Sequence, residues 1–239
     1  YQAALVRLAR LVEVQAKPAL TMPPAQVHGG WQQVVGARDW PARVALADVP
    51  VPKTVALGVL EGLKGHVTYT GGKVWLARSK QGEISHQAAA SAQEGAAFLM
   101  VAGVPKWRGL VLQSELDVEA LGRRLAARVS QLGLKTDQPI PFRLRGLFFD
   151  LSWHVLDGSR VGEDPSLPGA FDAARLPQTR AETRGEVVGF YSPTPEAHGL
   201  PGPGPVYAHV VLPSEGVSGQ LDAVTIRGKS ILLIPAGTP

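Results

Sequence analysis

Val55-Ala56-Leu57-Gly58-Val59-Leu60-Glu61-Gly62-Leu63-Lys64-Gly65-His66-Val67-Thr68-Tyr69-Thr70-Gly71-Gly72 runs directly into Lys73-Val74-Trp75-Leu76-Ala77. Residues that favour extended backbone come here in short runs with glycine between them, the pattern of strands joined by turns. Gly71-Gly72 predicts a hairpin between His66–Tyr69 and Lys73–Ala77, because two adjacent positive-φ positions match the twist of antiparallel strands. Phe98–Val101 is a short apolar run suited to a buried strand.

Downstream the period changes. Val118, Leu121, Leu125, Val129 and Leu132 form one apolar stripe at helical spacing, with Arg123, Arg124 and Arg128 off it. Asp117 or Ser114 can cap the start of this helix and Gly133 its end. Strands are expected at Phe142–Leu144, Leu147–Trp153, Glu186–Phe190, Val206–Leu212 and Ile231–Ile234. The polar stretch from Leu156 to Arg184 reads as a long loop. Ser192 to Pro205, with five prolines and three glycines, reads as a constrained turn. Before the hairpin, Ala3–Val14 fits a short amphipathic helix, or a strand from Leu11 to Val14. Pro18 and Pro23-Pro24 then break the chain, which makes residues 1–25 an arm that packs on a partner or folds back on its own domain. The remainder divides into halves at 26–135 and 136–239. The sum is an α+β or mixed α/β protein dominated by strands, without a repeat of 20–50 residues.

Composition narrows the function. Of 239 residues, 45% are hydrophobic and 18% charged, enough for a packed core and too apolar for a disordered chain. No apolar run reaches the roughly 20 residues of a membrane-spanning helix. Cysteine is absent, which removes disulfides, thiolate metal sites and a thiol nucleophile. The formal net charge of +4 is mild and its Lys and Arg are scattered, so nucleic acid is not the expected partner. A start at Tyr1 without methionine, together with the missing cysteine, favours an exported, envelope-associated protein slightly over a cytoplasmic one.

Phosphate loops, dinucleotide fingerprints, nucleophile elbows and HExxH helices are all missing. Gly202-Pro203-Gly204 is not a phosphate cradle, because proline removes the amide donors. The chemistry-bearing stretch is C-terminal. In Val206-Tyr207-Ala208-His209 the residues at i and i+2 share one strand face. A third side chain from Val217-Ser218-Gly219-Gln220-Leu221-Asp222 could complete a metal site with an open position. The residues in those three places are Tyr207, His209 and Gln220.

Several segments, in order, resemble the acetolactate decarboxylase family over about Val27–Pro235. Val55–Gly72 is similar to the family's G-x-G-T-F-x-x-L-D-G-E hairpin, Gly95–Val101 to its T-P-F-A-x-V-T strand, and Arg143–Phe148 to R-x-x-G-x-F. Gly189-Phe190-Tyr191-Ser192-Pro193 is similar to G-F-R-S-P, and the later segments to G-Y-H-x-H-F and G-G-H-hydrophobic-D. The resemblance implies two mixed or antiparallel sheets with few helices. It also implies a zinc ion on three histidines, beside carboxylates and an arginine. Those zinc positions fall on Tyr207, His209 and Gln220, the hairpin glutamate on His66, the arginine near His154 and the C-terminal glutamate on Leu233.

Only His209 keeps its type, and one imidazole does not hold a catalytic zinc. The leading expectation is therefore a non-catalytic member acting as a structural or interaction subunit, with protein partners in a homo- or hetero-oligomer and no cofactor. Two alternatives stand beside it: a zinc-dependent decarboxylase, and a metal- or small-molecule-binding module in which His66, His154 and His209, with Tyr207 or Asp222, form a relocated site. Against that module stands the expectation that His66 and His154 are hydrogen-bonded or solvated. His28, His86 and His198 are expected in solvated turns, the five tryptophans in packing roles, and Glu163-Asp164 in a solvated loop.

Overall fold

The Gly71-Gly72 turn forms as the sequence predicts. In the computed structural model, which describes residues 24–37, 40–202 and 204–236, both glycines take positive φ, 62° and 75°. They join β4 (Gly65–Thr70) to β5 (Lys73–Lys80). β4 also pairs with β3 (Thr54–Leu60), and both are buried along their whole length. Burial on two faces accounts for the continuous apolar run Val55–Leu60. With β1 (Gln26–His28), β2 (Val44–Ala45), β6 (Glu83–Ala89) and β7 (Gly95–Gly103) they form a seven-stranded antiparallel sheet of order β1-β7-β3-β4-β5-β6, β2 pairing with β7.

The second sheet holds β8 (Trp107–Leu112), β9 (Ile140–Leu156), β10 (Arg175–Tyr191), β11 (Val206–Leu212) and β12 (Val217–Pro235), in the order β11-β10-β9-β12-β8. The first residues of β12 also pair with β11, so this sheet closes on itself at one end. Two sequence expectations are corrected here. Phe142–Leu144 and Leu147–Trp153 are one 17-residue strand. The last third of the expected loop from Leu156 to Arg184 is strand, because polar Arg175–Gly185 pairs along β9 with much of its surface in solvent. The chain passes between the sheets at Val104–Lys106, so β8 and the helix after it pack with the second sheet.

Two helices are described, α1 (Trp31–Gly36) and α2 (Val118–Leu132). Asp117 caps α2 by accepting the Ala120 N–H at 2.7 Å, and Gly133 ends it in the left-handed conformation at φ 63°. Leu121, Leu125 and Val129 bury against the outer face of the second sheet, among Phe142, Leu144, Phe148, Val210 and Ile226. Each such side chain contributes about 1.5–3 kcal/mol against about 1 kcal/mol for the cap, so packing decides where the helix lies. Between the sheets Leu57, Val59, Phe98 and Met100 meet Leu156, Val188, Phe190 and Tyr207. Trp153 and Trp75 are buried and Trp31, Trp40 and Trp107 half-buried, in the expected packing roles. No described helix is long and apolar enough to cross a membrane. The expected elements at Ala3–Val14 lie outside the described residues.

Candidate functional site

Three imidazoles meet between the sheets. His66 comes from β4 of the first sheet, His154 from β9 and His209 from β11 of the second, at 0%, 2% and 0% exposure. The His66 ring stands edge-on to His209 and to His154, with centroids 5.1 and 5.6 Å away. The register explains the convergence. Gln220 on β12 pairs with His209 on one side and His154 on the other, and paired residues point to the same face.

Two backbone devices aim the rings. Gly65 has φ 121°, and a Cβ there would lie 1.9 Å from the Ala77 carbonyl oxygen, so only glycine admits the close approach that seats His66. On β9, Arg143 and His154 both face the first sheet although they are an odd number of residues apart, which an unbroken pleat forbids. Asp150, at φ 48°, interrupts the alternation between them and turns His154 inward. Aspartate tolerates this left-handed conformation better than most residues.

The hydrogen bonds define the chemistry. His209 Nδ1 pairs with Thr68 Oγ1 at 2.8 Å and its Nε2 with Tyr207 Oη at 2.9 Å, one ring nitrogen donating and the other accepting. His154 Nδ1 pairs with Asp222 Oδ1 at 2.8 Å. Neither nitrogen of His66 reaches a hydrogen-bond partner, and only the Gly58 backbone lends weak support. This corrects the expectation that His66 is hydrogen-bonded or solvated. Burial, then the His154 charge, pushes His209 down to about 3, and burial, then His209 and His154, holds His66 well below the ordinary imidazole range. Burial raises the Tyr207 phenol, which stays protonated.

Of the remaining sequence candidates, Gln220 lies half-buried between His209 and His154 in the ladder, and its side chain makes no hydrogen bond among the described residues. Leu233 pairs with Arg143 and Gly109 and is separated from His209 by β9 and β10. His198 is not a free loop side chain: its ring ties Ser192 Oγ (2.7 Å) to the Asp137 carbonyl (3.1 Å). His86 is likewise in a strand and half-buried, its Nδ1 receiving the Ser218 N–H at 3.4 Å.

These residues do not fit zinc. At the family positions the donors are a protonated phenol, an amide and an imidazole whose two nitrogens are both engaged. For the relocated set, His209 would have to surrender Thr68 or Tyr207. Among the described residues no group of three or more His, Cys, Asp or Glu side chains is arranged to hold a metal ion. Two large cavities, of about 690 and 730 Å³, open elsewhere, and neither is lined by His66, His154, His209 or Tyr207.

No protein-family model matches this chain, and no curated protein matches it. Solved structures do. A Staphylococcus aureus protein of unknown function, described as similar to alpha-acetolactate decarboxylase, aligns over 87% of this chain and 84% of its own at 15% identity and TM-score 0.67. Alpha-acetolactate decarboxylase from Bacillus subtilis strain 168 aligns over 88% and 84% at 13% identity and TM-score 0.67. The acetolactate decarboxylase from Bacillus subtilis subspecies spizizenii aligns over 88% and 85% at 12% identity and TM-score 0.68. At such identities the likeness establishes the fold alone: this chain has an acetolactate decarboxylase-like fold.

Proposed function

We propose that this chain is a non-catalytic protein on an acetolactate decarboxylase-like scaffold, serving as a structural or interaction subunit. The observation that carries the reading is His209, the one imidazole in family register, with both ring nitrogens consumed inside a packed interior. A decarboxylase must stabilise the enediolate left after carbon dioxide departs, which calls for a Lewis acid or converging donors at an accessible carbonyl. Here a phenol, a hydroxyl and imidazoles satisfy one another, and Leu233 cannot move a proton.

The test is turnover of acetolactate, a branched 2-hydroxy-3-keto acid. Acetoin is expected to form at the uncatalysed rate with or without added zinc. Saturable turnover that His209→Gln abolishes would overturn the reading and restore the enzyme.

A further inference from the structure

Along β4 the inward side chains run His66, Thr68, Thr70, and past Thr70 the sheets part into a cavity of about 690 Å³. Lys73, Arg143, Arg145, Arg184 and Lys229 line it, with Glu186 as its one carboxylate. That excess of cations equals the formal net charge of the whole chain, +4. The carboxylate is already spent. Glu186 Oε1 accepts from Arg143 Nε (2.7 Å) and Arg145 Nε (2.9 Å), and Oε2 accepts from Arg143 Nη2 (3.0 Å) and Thr70 Oγ1 (3.0 Å). Arg143 also lies over the Trp107 ring, 5.6 Å from its centroid. The floor of the cavity is therefore a fixed, buried ion pair, whereas Lys73, Arg184 and Lys229 have no ion pair among the described residues.

Surface cations usually find counter-charges or spread apart, because crowding them raises their mutual repulsion. These converge instead on a concavity of the size that holds small ligands. Arginine forks match oxyanions in planar geometry, and lysines add point charge around them. A single carboxylate would leave most of the excess uncompensated.

We infer that this cavity binds a small organic phosphate carrying a diphosphate or two phosphate groups, with Lys73, Arg145, Arg184 and Lys229 as its ligands on the fixed Arg143–Glu186 floor. The cations line an open concavity and come from four different strands instead of forming a stripe along one strand or helix, which fits a small molecule better than a nucleic-acid backbone. The site does not depend on whether the imidazole cluster is catalytic.

Titration calorimetry on the full chain tests it with pyrophosphate, ADP, adenosine and a single-stranded oligonucleotide. Pyrophosphate and ADP are expected to bind at one site per chain, with affinity falling as salt rises, and adenosine is expected not to bind. Arg184→Ala and Lys229→Ala are exposed changes, and each is expected to weaken binding about tenfold. Arg124→Ala, an exposed cation on α2, is the control and should change nothing. Absence of pyrophosphate and ADP binding at millimolar concentration would overturn the proposal. So would binding indifferent to Arg184→Ala and Lys229→Ala, or binding of the oligonucleotide alone.

Discussion

Glu186→Ala is expected to destabilise the fold by about 3–5 kcal/mol, the cost of leaving a buried charge without its partner. The side chains of Arg143 and Glu186 are 9% and 8% exposed and share two hydrogen bonds. Removing the carboxylate leaves the Arg143 guanidinium on the buried floor of the cavity without its counter-charge, and the Trp107 ring offers a contact worth only about 1–2 kcal/mol. The ring does not offset the loss. The exposed pairs Arg180–Glu215 and Arg227–Glu115 are the comparison, and breaking either should cost no more than about 1 kcal/mol. Replacing both partners, Arg143→Met with Glu186→Leu, is expected to recover most of the stability, because no uncompensated charge remains. Urea denaturation of the variants reads all of this. A loss for Glu186→Ala no larger than for the surface pairs would mean that the ion pair is hydrated and the cavity floor is not fixed.

Acid is expected to unfold this protein earlier than its carboxylates alone would allow. In the unfolded chain histidine takes up a proton near 6.5. In the folded chain His209 resists protonation down to about 3, and His66 is also held well below its usual value. Below pH 6.5 the unfolded state thus binds more protons, and stability falls with pH. His209 costs about 1.4 kcal/mol per pH unit, roughly 3 kcal/mol by pH 4.5, a large share of the stability of many domains, and His66 adds in the same direction. His86, lowered by burial, adds in the same direction. Burial pushes Glu94 and Asp157 up, but hydrogen bonds from Arg78 and Ser159 hold them below ordinary carboxylate values, so they act only at lower pH. His66→Leu removes one of the buried imidazoles and should make the fall in stability below pH 6.5 less steep. It should destabilise little at neutral pH, because the Gly58 backbone alone supports the lost group, and weakly. Stability independent of pH across that window would contradict the buried, neutral state of the cluster.

What the sequence disclosed follows from which forces are local. The Gly71-Gly72 hairpin and the capped helix after Asp117 are written in short-range terms, turn conformation and apolar period, and both stand where expected. The polar half of β10 was invisible because Arg175–Gly185 gains its place by pairing with β9 and not by burying an apolar face. The convergence of His66, His154 and His209 came from resemblance and not from spacing. Spacing alone would have sent His154 and Arg143 to opposite faces. Asp150 reverses that parity, and nothing around it in the sequence marks it as a left-handed residue. The cationic cavity was missed for a related reason: its lysines and arginines come from β5, β9, β10 and β12 and look scattered until the sheets assemble.

The central claim is that hydrogen bonds within the protein have taken the place of an ion at the His209 position. Its most direct measurement is the zinc content of protein purified from its source and dialysed against zinc, compared with a His209→Gln variant under the same treatment. The account expects far less than one zinc per chain, with no difference between the two. One tightly held zinc per chain that disappears with His209→Gln would contradict it.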